Sequence, residues 1–171
     1  MGNSPSNKAG RCVNSVFISL VFIKEYKMTI TIYTASYFDP ESHGPGRKIG
    51  ISPSKPKNLQ EECGYDCEIC HEFLSPEQVY WDYFKAKKAA DGDDILMKQA
   101  GDNFVTGYQN RLADFKATLE TEAKKTGTSI QDLIGFEDGD TLLSWERNGH
   151  LSFRDQVAAF LRELGYEVIE R

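Results

Sequence analysis

The chain has 171 residues, enough for one domain with a proper core. Hydrophobic residues make up 40% and charged residues 27%, the balance of an ordinary globular protein. A net charge of -6 with a pI near 5.1 excludes bulk electrostatic attachment to nucleic acid or to an anionic membrane.

Residues 1–27 hold an apolar run, Val16 to Ile23, behind Lys8 and Arg11. The run is too short to span a bilayer and lacks a small-residue cleavage site. The expectation is an extension, disordered or set by a mis-called start, ahead of a cytoplasmic domain over 28–171. "TITIYTASYF" (29–38) is β-branched and aromatic and predicts a first strand. "DPESHGPGRK" follows as a Gly- and Pro-rich loop, and "KIGIS" reads as a short second strand.

Residues 53–73 form a long polar loop that gathers Cys63, Cys67, Cys70 and His71. Loops of that length inside a domain are usually functional or disordered. Thiolates are strong ligands for borderline metals, so Cys63-x3-Cys67-x2-Cys70-His71 predicts a metal site with zinc favoured. His43 and His150 are further candidates for the fourth ligand. The same spacing is that of radical S-adenosylmethionine enzymes, whose three cysteines hold an iron–sulfur cluster. Only about a hundred residues follow Cys70, too few for their partial barrel. Redox-active thiols and a plain loop are the other two readings.

Ser75 as N-cap, Pro76 at the first helical position and Gln78 three residues after Ser75 predict a helix from "SPEQVYWDYFKAKKAA". Tyr80, Trp81, Tyr83 and Phe84 make it strongly aromatic, which is read as packing against the sheet. "DGDD" breaks it. A longer helix is predicted over about 103–126, with Val105, Tyr108, Leu112, Phe115 and Leu119 at steps of three and four and Gly127 closing it. "SIQDLI" adds one short turn. "TLLSWE" is a buried strand, "SFRDQVAAFLREL" a helix capped by Ser152, and "YEVIE" a last strand. The sum is a single α/β domain: a small, mostly parallel sheet, flanking helices and a C-terminal βαβ unit.

The segments around "TLLSWE" and "SFRDQVAAFLRELG" resemble the bacterial and archaeal domain-of-unknown-function 488 family over roughly residues 29–169. That family carries an L-L-C-[YW]-E strand followed by a C-H-R helix start. Here the strand reads Leu142, Leu143, Ser144, Trp145, Glu146 and the helix start Ser152, Phe153, Arg154. Both motif cysteines are serine and the histidine is Phe153, so cysteine–histidine chemistry at that place is not available to this chain. The resemblance implies the fold and no reaction.

In a parallel α/β sheet ligands bind beyond the carboxyl ends of the strands, near helix N-termini. "SWERNGHLSFR" falls there. Ser144, Glu146, Ser152 and Arg154 are therefore candidate binding residues for a small anionic ligand, with Arg154 offering a bidentate fork. Glu146, Arg154 and Ser144 are also the catalytic candidates. The leading reading is an α/β protein with a cysteine-bound metal and an anion site at 144–154. The alternatives are a metal- or thiol-dependent hydrolytic or redox enzyme and a non-catalytic interaction module. An enzyme joining the cysteines to Glu146 and Arg154 requires the two groups to meet in space.

Overall fold

The computed structural model describes residues 29–68, 71–145 and 153–171. It is a mixed α/β fold on one four-stranded, wholly parallel sheet. In chain order the elements are β1 (Thr31–Ser36), a 3-10 turn (Pro40–Ser42), β2 (Lys48–Gly50), α1 (Leu59–Cys63), α2 (Glu77–Ala90) and α3 (Asp94–Thr126). Then come α4 (Ile130–Ile134), β3 (Thr141–Ser144), α5 (Phe153–Glu163) and β4 (Glu167–Glu170). The strand order is β2-β3-β1-β4, so β1 lies between the two strands of the C-terminal βαβ unit. No helix among the described residues is long and apolar enough to cross a membrane.

Successive strand residues point to opposite faces, and the two faces are covered differently. Ile32 and Leu142 pack with Phe104, Tyr108, Phe115, Val157 and Leu161 of α3 and α5. Ala35 and Leu143 face the other way and pack with Leu59, Tyr37 and Cys67. The register sets Thr34 beside Leu142 and Ser36 beside Ser144, so Thr34, Ser36 and Ser144 share the helix-covered face.

Two boundaries differ from the sequence reading. Ser75 does not cap α2: Pro76 occupies the N-cap position, and the buried Ser75 hydroxyl accepts no capping bond. Leu74 is fully buried and its carbonyl accepts from Tyr108 Oη at 2.5 Å, which ties residues 74–75 into the core ahead of the helix. The long helix starts at Asp94, nine residues before the expected position. Asp93 caps it by accepting the Ile95 and Leu96 N–H groups at 2.9 and 3.0 Å. Gly101, Asp102 and Asn103, weak helix formers, had hidden this first stretch. Gly127 ends the helix as expected, at φ 71°.

The link from β1 to β2 crosses β3 on the face opposite the helices. Gly44 N–H donates to Thr141 Oγ1 at 2.8 Å and Gly46 N–H to Gly139 O at 2.8 Å. A Cβ on Gly46 would stand 2.6 Å from Gly139 C and 2.7 Å from Asp140 N, both backbone atoms that cannot swing aside. Asp140 then locks the crossing. Its buried carboxylate accepts from Arg47 N–H at 3.1 Å, Arg47 Nε at 3.1 Å, Arg47 Nη2 at 2.5 Å and Glu137 N–H at 2.9 Å. Burial works to raise its pKa, but the bonds from Arg47 and Glu137 outweigh it and hold the carboxyl below the usual range.

Two outcomes are expected. Gly46→Ala should destabilise the fold by about 3 kcal/mol or more, read from urea unfolding, because the crossing must separate. The depressed Asp140 pKa contributes stability that is complete above the unfolded-state value near 3.8 and is lost as pH falls through the folded value. Asp140→Asn should cost about 2–3 kcal/mol at pH 7 and flatten the part of the stability–pH curve below about pH 4. An acid limb unchanged in the variant would show that other carboxylates set it.

Candidate functional site

β1 and β3 are neighbours, yet their chains leave in opposite directions. β1 continues over one face to β2, beyond β3, and β3 continues through α5 on the other face to β4, beyond β1. The carboxyl ends of β1 and β3 are therefore a topological switch point, where a crevice opens between diverging chains. Ser36, Tyr37, Ser144 and Trp145 sit at it.

Backbone bonds prolong the sheet slightly past its strands. Tyr37 N–H donates to Ser144 O and Ile51 N–H to Leu143 O, both at 2.9 Å. Trp145 is anchored by its N–H to Ser52 Oγ at 3.3 Å and its Nε1–H to Ser54 O at 2.7 Å. Its ring meets Tyr37 and Phe38 at 5.9 and 5.6 Å. His43 Nε2 lies 3.1 Å from Ser36 O; the carbonyl only accepts, so Nε2 carries the proton. Burial lowers the His43 pKa, which keeps the ring neutral at pH 7.

Toward the helix face this end of the sheet carries buried hydroxyls. Thr34 and Ser144 are both fully buried, and neither Thr34 Oγ1 nor Ser144 Oγ has a hydrogen-bond partner among the described residues. Buried hydroxyls left unpaired cost about 1–3 kcal/mol each and are rare in native proteins. Over this end lies the first turn of α5. Arg154, Ala158 and Leu161 form its sheet-facing stripe, all three essentially buried. The helix of a βαβ unit runs antiparallel to its strands, which puts Arg154 at the carboxyl edge with Ser144. A guanidinium is therefore buried at this edge. The positive end of the α5 dipole lies at the same edge.

Of the four residues expected to bind an anion, Ser144 ends β3 and Arg154 lies in the first turn of α5, both buried; Glu146 and Ser152 lie outside the described residues. Thr34 had not been singled out. Its signal was faint: hydroxyl residues at 34 and 36, alternate positions of one strand, point to the face that a core strand reserves for apolar side chains.

The cysteine loop resolves differently. Cys63 ends α1 and Cys67 follows, both packed on the face opposite α5 with Ala35, Leu59, Tyr65 and Leu143. Tyr65 Oη donates to Tyr37 O at 2.6 Å, and burial, with the two thiols next, pushes its phenol pKa up. Glu68 N–H donates to Lys48 O and His71 N–H to Gly50 O, each at 2.7 Å, so both residues are held at the outer edge of β2. His71 packs on the helix-covered side, its ring 5.4 Å from Phe136 and 6.2 Å from Phe115. The expected ligand set is thus split: Cys63 and Cys67 share a cluster, His71 stands across the sheet from them, and Cys70 is outside the described residues. Among the described residues no three His, Cys, Asp or Glu side chains converge on a metal position. The same split separates Cys63 and Cys67 from Arg154, so the two candidate groups do not form one centre.

No family model, curated protein or solved structure matches the chain.

Proposed function

We propose that the protein binds a small ligand bearing an oxyanion, a phosphate or a carboxylate, in the crevice beyond β1 and β3. The observation that carries this is the pair of fully buried hydroxyls of Thr34 and Ser144 on the helix-covered face of β1 and β3, both without a hydrogen-bond partner among the described residues. An anion there would accept from both hydroxyls, would lie at the positive end of α5, and would meet the guanidinium of Arg154. The three features favour the same charge sign. No base stands within hydrogen-bond reach of Ser144 Oγ among the described residues, so Ser144 serves as a donor and not as a nucleophile.

The site makes opposite demands on binding and stability. Thr34→Val and Ser144→Ala each remove an unsatisfied buried hydroxyl, and each is expected to raise unfolding free energy by about 1 kcal/mol. Each should also weaken binding of inorganic phosphate or of a small carboxylate, measured by calorimetry, about tenfold. If no anion in such a panel binds saturably to the full chain, or if the variants bind as well as the parent, the reading fails.

A second reading is favoured by the shared cluster of Cys63 and Cys67 on the face opposite α5: zinc held by these two thiolates, with Cys70 supplying a third. His71 has no part in it. Elemental analysis of full-length protein purified without oxygen should then give about one zinc per chain, lost in Cys63→Ser and retained in His71→Ala. Metal-free protein, or zinc that survives Cys63→Ser, would remove this reading without touching the first.

A further inference from the structure

α2 carries two apolar-centred stripes on opposite sides, and the other described elements cover only one. The inner stripe runs through Val79, Tyr83 and Ala90. Val79 packs against the Gly107 backbone, the Tyr83 ring lies 5.4 Å from that of Phe104, and Ala90 is buried. Half a helical turn away, Glu77, Trp81, Phe84 and Lys88 recur at steps of four, three and four, the spacing by which one helix packs along another. All four are exposed, with Trp81 at 49% and Phe84 at 45%, and the two rings are 6.3 Å apart. Large aromatics on an outward stripe are not needed for the fold. Neither Glu77 nor Lys88 has an ion-pair partner among the described residues.

The outer stripe is self-complementary. A two-fold axis passing between Asp82 and Tyr83, with the helices antiparallel, sets Trp81 against Phe84 of a second copy and Glu77 against its Lys88. Apolar meets apolar at the centre and opposite charges meet at both ends, as an isologous interface requires. We infer that the outer face of α2 is a homodimer interface, an antiparallel α2–α2 pair about this axis. A 14-residue helix pair lies below the ~1,200 Å² of a standard stable interface, so the dimer is weak and concentration-dependent.

Sedimentation equilibrium of the full chain over a range reaching several hundred micromolar tests this. The expected result is a mass rising from 19.3 kDa towards twice that value. Trp81→Ser should hold it at the monomer mass, with an unchanged circular dichroism spectrum because the residue lies on the outside. Glu77→Lys and Lys88→Glu should each weaken association several-fold by opposing like charges, and the double variant should restore it. A chain that stays monomeric throughout, association indifferent to Trp81→Ser, or charge variants that do not rescue one another would each overturn the inference. So would a monomer that instead binds phosphatidylserine-containing vesicles through Trp81, which would make the patch a membrane-contact surface.

Discussion

The close backbone crossing of residues 43–47 over Gly139 and Asp140 is the constraint on which the rest of the sheet depends. Parallel strands usually need a helix between them, because the chain must return the full length of the strand. Here the return from β1 to β2 is a loop with one 3-10 turn, and it passes on the far side of β3. It can lie flat only because Gly44 and Gly46 present no side chain to Tyr33, Gly139 and Asp140. Asp140, bonded to both Arg47 and Glu137, fixes where the loop ends and where β2 and β3 begin. β2 is thereby placed outside β3, β1 becomes central, and the chains leaving β1 and β3 diverge. The crevice at their carboxyl ends is a consequence of that crossing.

The loop also decides which chemistry is available on each face. One face is closed by long helices that bury aromatic rings, and its far end alone carries hydroxyls and a guanidinium. The other is closed by a loop and the short α1, which bring Cys63, Cys67, Tyr65 and His43 near the same carboxyl edge but beneath it. Chemistry that required thiol and guanidinium on one substrate would have to reach through β1 and β3. The sheet thus acts as a partition, and the two groups of polar residues are best understood as separate.

Much of this was legible in the chain. The alternation in "TITIYTAS", the buried run "TLLS" and the amphipathic "FRDQVAAFLRE" each bury a face that periodicity reveals, and the parallel βαβ ending followed from their order. That Ser144 ends a strand and Arg154 lies near a helix start was legible from the order of the elements, and the rule that makes such a junction a candidate site is general. His71 was misplaced because adjacency in sequence was read as adjacency in space. Glu68 and His71 both bond to the edge of β2, yet Cys67 packs on one face of the sheet and His71 on the other. Thr34 was hidden for a different reason: threonine is a good strand former, and nothing local distinguishes a buried hydroxyl from an exposed one. Strand order was beyond reach, since it rests on a glycine crossing that reads only as a loop.

The outer face of α2 stands free for a reason of lengths. α3 has 33 residues and is about 50 Å long, whereas the strands have three to six residues and span about 20 Å at most. Phe115 and Leu119 in the second half of α3 lie over the sheet core, and Tyr108 meets Phe153 at the start of α5, level with the carboxyl edge. Everything before Tyr108 must therefore overhang that edge, and α2 packs along the overhang and not on the sheet. Among the described elements, a helix in that position packs mainly on α3. One stripe of Val79, Tyr83 and Ala90 satisfies that neighbour, and the fold then asks nothing more of α2 than a polar exterior. Trp81 and Phe84 occupy that exterior, where no packing within the described core requires them.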